Sequence, residues 1–97
     1  MRITVARSGG YAGGTEPPVT IDTSQLDAGT RQRIEDLVNQ MGFFTLPQQA
    51  GGVGADMFRY EISVSDENRT HMVTFVDDGS QETQSLRRLV EAVSAGV

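Results

Sequence analysis

Residues 57–76, MFRYEISVSDENRTHMVTFV, constrain the fold more than any other stretch of the chain. Phe58, Tyr60, Ile62 and Val64 alternate with Arg59, Glu61, Ser63 and Ser65, so a pleated strand built from them has one apolar and one wet face. Arg69 to Val76 is rich in Thr, Val, Met and Phe and reads as a second arm. Asp66-Glu67-Asn68 between them supplies residues that turn easily and stay solvated. A lone hairpin is marginal in water, so the rest of the chain must bring further strands and a cover for the apolar face.

The amino-terminal part supplies the strands. Arg2 to Arg7 alternates, with Ile3 and Val5 on one face. Ser8 to Pro18 then gathers glycines and prolines into a connection that cannot be helix or central strand. Val19 to Asp22 recovers extended character and is expected to fold back on the first strand as a wide-looped hairpin.

Two helices follow from periodicity. The first opens near Thr23 to Asp27, where capping residues crowd, and runs through Met41 with Ile34, Leu37, Val38 and Met41 as one stripe. Gly42 ends it, Phe43, Phe44 and Leu46 anchor it, and Pro47 stops regular structure. Gln48 to Asp56 is a second glycine-rich connection into the central hairpin. After Val76, Asp77-Asp78-Gly79-Ser80 makes a tight turn. The last helix begins at Ser80 or Gln81, carries Leu86, Leu89, Val90 and Val93 at helical spacing, and closes at Gly96. The expectation is an α+β fold, a four-stranded antiparallel sheet with two helices on one face in the order β-β-α-β-β-α, as a single domain over residues 1–97.

Charge and composition remove several function classes. A net charge of −5 gives no electrostatic support for nucleic acid or an anionic membrane as partner. The absence of Cys removes disulfide frameworks, thiolate nucleophiles and cysteine zinc sites. Every basic residue is Arg, for which a coding bias of the source genome is explanation enough. Met1 leads directly into an alternating strand rather than a targeting segment, and no window approaches the ~20 apolar residues of a membrane span, so cytoplasmic residence is expected.

Little in the chain suggests catalysis. His71, the only histidine, lies mid-strand beside Met72 and Val73 and reads as structural rather than as a general base. Asp77-Asp78 sits where a helix N-terminus favours negative charge, a capping role. SGGYAGGTE and GGVGAD lack the spacing of a dinucleotide turn and the lysine of a P-loop. No catalytic residue, cofactor or metal of its own is expected. What remains is an acidic scaffold holding two glycine-rich loops, one of which carries Tyr11, and loops on rigid sheets often carry recognition.

Four segments sharpen this. Met1 to Gly13 (MRITVARSGGYAG), Gly42-Phe43-Phe44-Thr45-Leu46-Pro47, Phe58-Arg59-Tyr60-Glu61-Ile62 and Thr70 to Gly79 (THMVTFVDDG) occur in an order that resembles the emfourin family of protealysin inhibitors, nearly end to end. The resemblance implies a monomeric proteinaceous inhibitor of thermolysin-like zinc metallopeptidases, commonly encoded beside the peptidase it restrains. It would act by occluding the peptidase's active-site cleft, with no chemistry of its own. Ser8, Gly9, Gly10, Tyr11, Ala12 and Gly13 would then enter the cleft in extended form, with Tyr11 filling an apolar subsite. Asp77, Asp78 and Glu16 are candidates by charge for an approach to the peptidase's zinc. The alternative is a small structural or regulatory interaction domain with no peptidase partner.

Overall fold

The computed structural model describes residues 1–9, 18–50, 58–76 and 81–95. Its centre is the expected hairpin. Strand β4 (Phe58–Asp66) pairs antiparallel with β5 (Arg69–Val76) around a two-residue turn, Glu67-Asn68. Strand β1 (Arg2–Gly9) pairs antiparallel with the other side of β4 and also with β2 (Val19–Asp22), the wide-looped hairpin of the sequence reading. These four antiparallel strands are joined at the edge by a two-residue strand β3 (Gln49–Ala50), giving the sheet order β2-β1-β4-β5-β3.

Two details differ from the expectation. Ser8 and Gly9 are not loop but the last residues of β1, opposite Arg59 and Phe58. The long β4 offers backbone partners that far along, and ladder hydrogen bonds outweigh the weak strand preference of Gly. Pro47 does not end regular structure either. The Gln48 carbonyl accepts from the Thr74 N–H at 2.7 Å, and β3 then runs parallel to Thr74 and Phe75. An otherwise unpaired edge of β5 is thereby met locally.

Helix α1 (Ala28–Gln40) and helix α2 (Gln81–Ala95) cover one face of the sheet. Register and alternation put Ile3, Val5, Ile21, Tyr60, Ile62, Val64, Val73 and Phe75 on that face, and all are buried. From the helices come Ile34 and Val38 of α1, with Leu37 and Met41 only partly covered, and Leu86, Leu89, Val90 and Val93 of α2. Each fully buried aliphatic of this kind contributes about 1.5–3 kcal/mol. The opposite face is mostly polar, with Val76 buried at its end. There the Thr4 and Thr20 hydroxyls meet at 3.1 Å and those of Ser65 and Thr70 at 2.9 Å, while Met72 is 47% exposed.

The ends of α1 follow their residues. Asp27 is the N-cap: its carboxylate accepts from the Thr30 N–H at 3.0 Å and from the Thr30 hydroxyl at 2.7 Å. Those bonds hold the Asp27 carboxyl below the usual carboxylate range. Before the helix, Thr23–Gln25 forms a short 3-10 turn rather than the helix start, capped by Asp22, which accepts from the Ser24 hydroxyl at 2.7 Å and the Ser24 N–H at 3.0 Å. The Asp22 carboxyl is lowered by the same cause, the hydroxyl first. Gly42 beyond α1 has φ +62°, the left-handed conformation that stops a helix and that a Cβ resists. The chain then reverses through a second 3-10 turn, Phe43–Thr45, and drops Phe43 fully into the core.

Candidate functional site

Register divides the sheet into two unlike ends. At one end Asp66 faces Arg69 and Arg2 faces both Asp22 and Ser65, so the strands close tightly. Thr23, fully buried there, directs its one hydroxyl proton between the Glu35 carboxylate at 2.8 Å and the Met1 carbonyl at 3.2 Å. Its N–H donates to the same carbonyl at 2.8 Å.

At the other end Gly9 faces Phe58, Arg59 faces Val76, and Ala50 runs beside Phe75. The chain therefore leaves the sheet at this one end after β1, after β3 and after β5. Both groups of residues proposed from sequence to contact a partner, Ser8 to Gly13 and Asp77-Asp78, are rooted here. Of them, Ser8 and Gly9 are held in the β1 ladder by Arg59 and Phe58. Gly10, Tyr11, Ala12, Gly13, Asp77 and Asp78 lie outside the described residues, as do Glu16 and Gly96.

His71 has a structural assignment. Its Nε2 donates to the Leu46 carbonyl at 2.7 Å, and its ring meets the Phe43 ring edge-on with centroids 5.7 Å apart. A carbonyl can only accept, so this bond selects the Nε2–H tautomer. The neighbouring Arg69 guanidinium lies 3.9 Å from the centroid of Phe44 and 3.6 Å from the Asp66 carboxylate. The aromatic pair after α1 is thus an anchor to β5, as its position in the sequence implied. Among the described residues, no group of three or more His, Asp or Glu side chains is arranged to hold a metal ion. No helix among them is long and apolar enough to cross a membrane.

Sequence reasoning missed a cleft of about 320 Å³ between α2 and the end of the sheet from which these connections leave. Val5, Arg7, Val19 and Tyr60 form its sheet side and Arg87, Val90, Glu91 and Ser94 its helix side. Tyr60 stacks on Phe75 with centroids 5.2 Å apart, and its hydroxyl accepts a hydrogen bond from Arg87 Nη1. The Arg87 guanidinium also lies 5.3 Å from the Tyr60 ring centroid and 3.4 Å from the Glu91 carboxylate. A signal was present in the sequence. Arg7 falls two residues after Val5 and four after Ile3 on the alternating pattern, so β1 carries a cation in a slot of its apolar face.

The family model described as Emfourin matches residues 5–94, nearly the whole chain. No curated protein and no solved structure matches significantly. The matched span leaves out only the start of β1, Arg2 to Thr4, and the last residue of α2, Ala95, among the sheet and helices.

Proposed function

The chain belongs to the emfourin family, whose members are implied to inhibit M4 metallopeptidases, and from that membership we propose that it occludes the active-site cleft of a thermolysin-like zinc metallopeptidase. The inserting element is the connection between β1 and β2. Tyr11 is its anchor in an apolar subsite, Gly10 and Gly13 permit close backbone approach, and Ala12 lies between them. Ser8 and Gly9, being part of the ladder, form the fixed root from which that segment projects. Asp77 and Asp78 reach the same partner from the root after β5. The chain acts as a monomer, as one folded unit, and performs no chemistry on the peptidase.

The observation that carries this reading is the convergence of the three connections at one end of a sheet whose other end is tightly closed. A cleft-filling inhibitor needs a rigid body from which its contact segments depart at a common end. Preorganised roots also reduce the entropy that ordering glycine-rich segments requires on binding.

The direct test is a titration of thermolysin, and of a peptidase encoded beside this chain where one exists, with peptide cleavage as the readout. Stoichiometric loss of rate that excess substrate relieves is the expected result. Full activity at large molar excess of folded protein over several such peptidases overturns the reading in favour of a non-inhibitory interaction domain.

A further inference from the structure

Beside the inserting connection lies a strand edge that the inhibitor reading leaves unused. β2 stands first in the sheet order, so among the described residues its outer side has no strand partner. We propose that this edge, at Thr20, pairs through its backbone with an extended segment of the peptidase, which adds a strand to the sheet. The identity of the partner rests on the inhibitor reading.

The ladder decides which groups face outward. The Thr23 N–H donates to the Met1 carbonyl at 2.8 Å, so Met1 and Thr23 form a hydrogen-bonded pair. Such pairs alternate with non-bonded ones along an antiparallel ladder. Ile3 with Ile21 and Val5 with Val19 are therefore bonded pairs, whereas Arg2 with Asp22 and Thr4 with Thr20 are not. The Thr4 and Thr20 hydroxyls, 3.1 Å apart, fit the closer approach of side chains in a non-bonded pair. The N–H and C=O of Thr20 and of Asp22 consequently point away from β1, and Thr20 is exposed.

Length and flanks limit what can dock. Four residues between Pro18 and the charged Asp22 bar a long, open-ended ladder and leave Thr20 able to accept one short segment. Position then names the occupant. β2 follows directly on the connection that enters the cleft, so the wall of that cleft runs alongside β2. An extended neighbour meets both outward groups of Thr20 with the backbone of a single residue, which a helix cannot do.

The side chains select among extended segments. Val19 and Ile21 face the helices, and Val19 is only partly covered. Val5 and Val90 lie with Val19 along the cleft of about 320 Å³ between α2 and the sheet. A strand added to β2 sets alternate side chains on that same side, where an apolar residue removes Val19 from water. The segment expected is one that is apolar at the position beside Val19 and polar at its neighbours.

The experiment measures inhibition of a thermolysin-like peptidase by the full chain and two variants. Thr20→Pro removes the outward N–H and sets the ring on the free edge, where proline is tolerated because no ladder bond within the chain is lost. It should inhibit at least about tenfold more weakly, with the urea midpoint close to that of the parent. Thr20→Val loses the hydroxyl and keeps the N–H, and should inhibit as the parent does. Should Thr20→Pro fail to fold, amide exchange of the parent chain decides: the Thr20 N–H should exchange rapidly when free and slowly in the complex. Parent and Thr20→Pro inhibiting equally, or a Thr20 N–H that exchanges as fast in the complex, overturns the proposal and leaves the inhibitor reading standing. A parent chain that inhibits no such peptidase overturns both.

Discussion

The two ends of the sheet differ in how their residues are used. At the closed end several polar groups are committed within the chain: Thr23 to Glu35 and Met1, Asp22 to Ser24, Asp27 to Thr30, His71 to Leu46. At the open end the strands run on to Gly9 and Val76, and then release three connections rich in Gly, Asp and Ser. On the function proposed above, stability and recognition are separated along the strand direction. Substitutions at one end should change folding and leave binding alone, and the reverse should hold at the other.

The largest effect tests the closed half of that contrast. Phe43→Ala removes a fully buried ring that contacts both Phe44 and His71, and it should lower unfolding free energy by about 3–5 kcal/mol in urea titrations. At temperatures where the variant is still folded, inhibition of a peptidase should be unchanged. A loss of affinity there would merge the two regions.

Next in size is Tyr11→Ala at the open end. Truncating an aromatic anchor typically removes ~2 kcal/mol or more of binding, a roughly 30-fold weaker inhibition constant, while the urea midpoint should stay where it is. Equal inhibition by the variant would move the anchor to another segment.

A smaller effect is expected for Thr23→Val, which keeps shape but takes the hydroxyl donor from the Glu35 carboxylate. Loss on the order of 1–2 kcal/mol of stability follows, again without change in inhibition. Glu67→Gly should act in the opposite direction. Glu67 is the one described non-glycine residue with positive φ, at 49°, and relieving it is expected to raise stability by about 0.5–1 kcal/mol.

The smallest effect is a pH dependence. Asp22 and Asp27 both titrate below the ordinary value of 3.8 in the folded chain because hydrogen-bond donors favour their charged forms. Groups depressed in this way contribute stability above the unfolded value and lose it as pH falls through the folded one. Urea midpoints should therefore be level from neutral pH down to about pH 5 and decline below it, and Asp27→Asn should shrink that decline.

Much of the closed end was legible in the sequence because its signals are local. Period-two alternation fixed the faces of β1 and β4, the Ile34/Val38 and Leu86/Val93 spacings marked both helices, and Gly42 marked the stop that its left-handed φ bears out. What escaped was set by pairing over distance. Ser8 and Gly9 look like loop until β4 is seen to extend opposite them, and Gln49-Ala50 has no strand character until the edge of β5 recruits it. The Arg7, Tyr60 and Arg87 cleft joins residues from three elements, and only Arg7 breaks its local pattern enough to announce it.

Amide hydrogen exchange on the inhibitor–peptidase complex, compared with the free chain, tests the division between the two ends most directly. The expected result is new protection over residues 10–16 and at the roots Gly9, Val19 and Val76, with none at Glu67-Asn68 or across Asp22 to Leu26. New protection confined to the closed end, in a complex that still inhibits, would contradict the account.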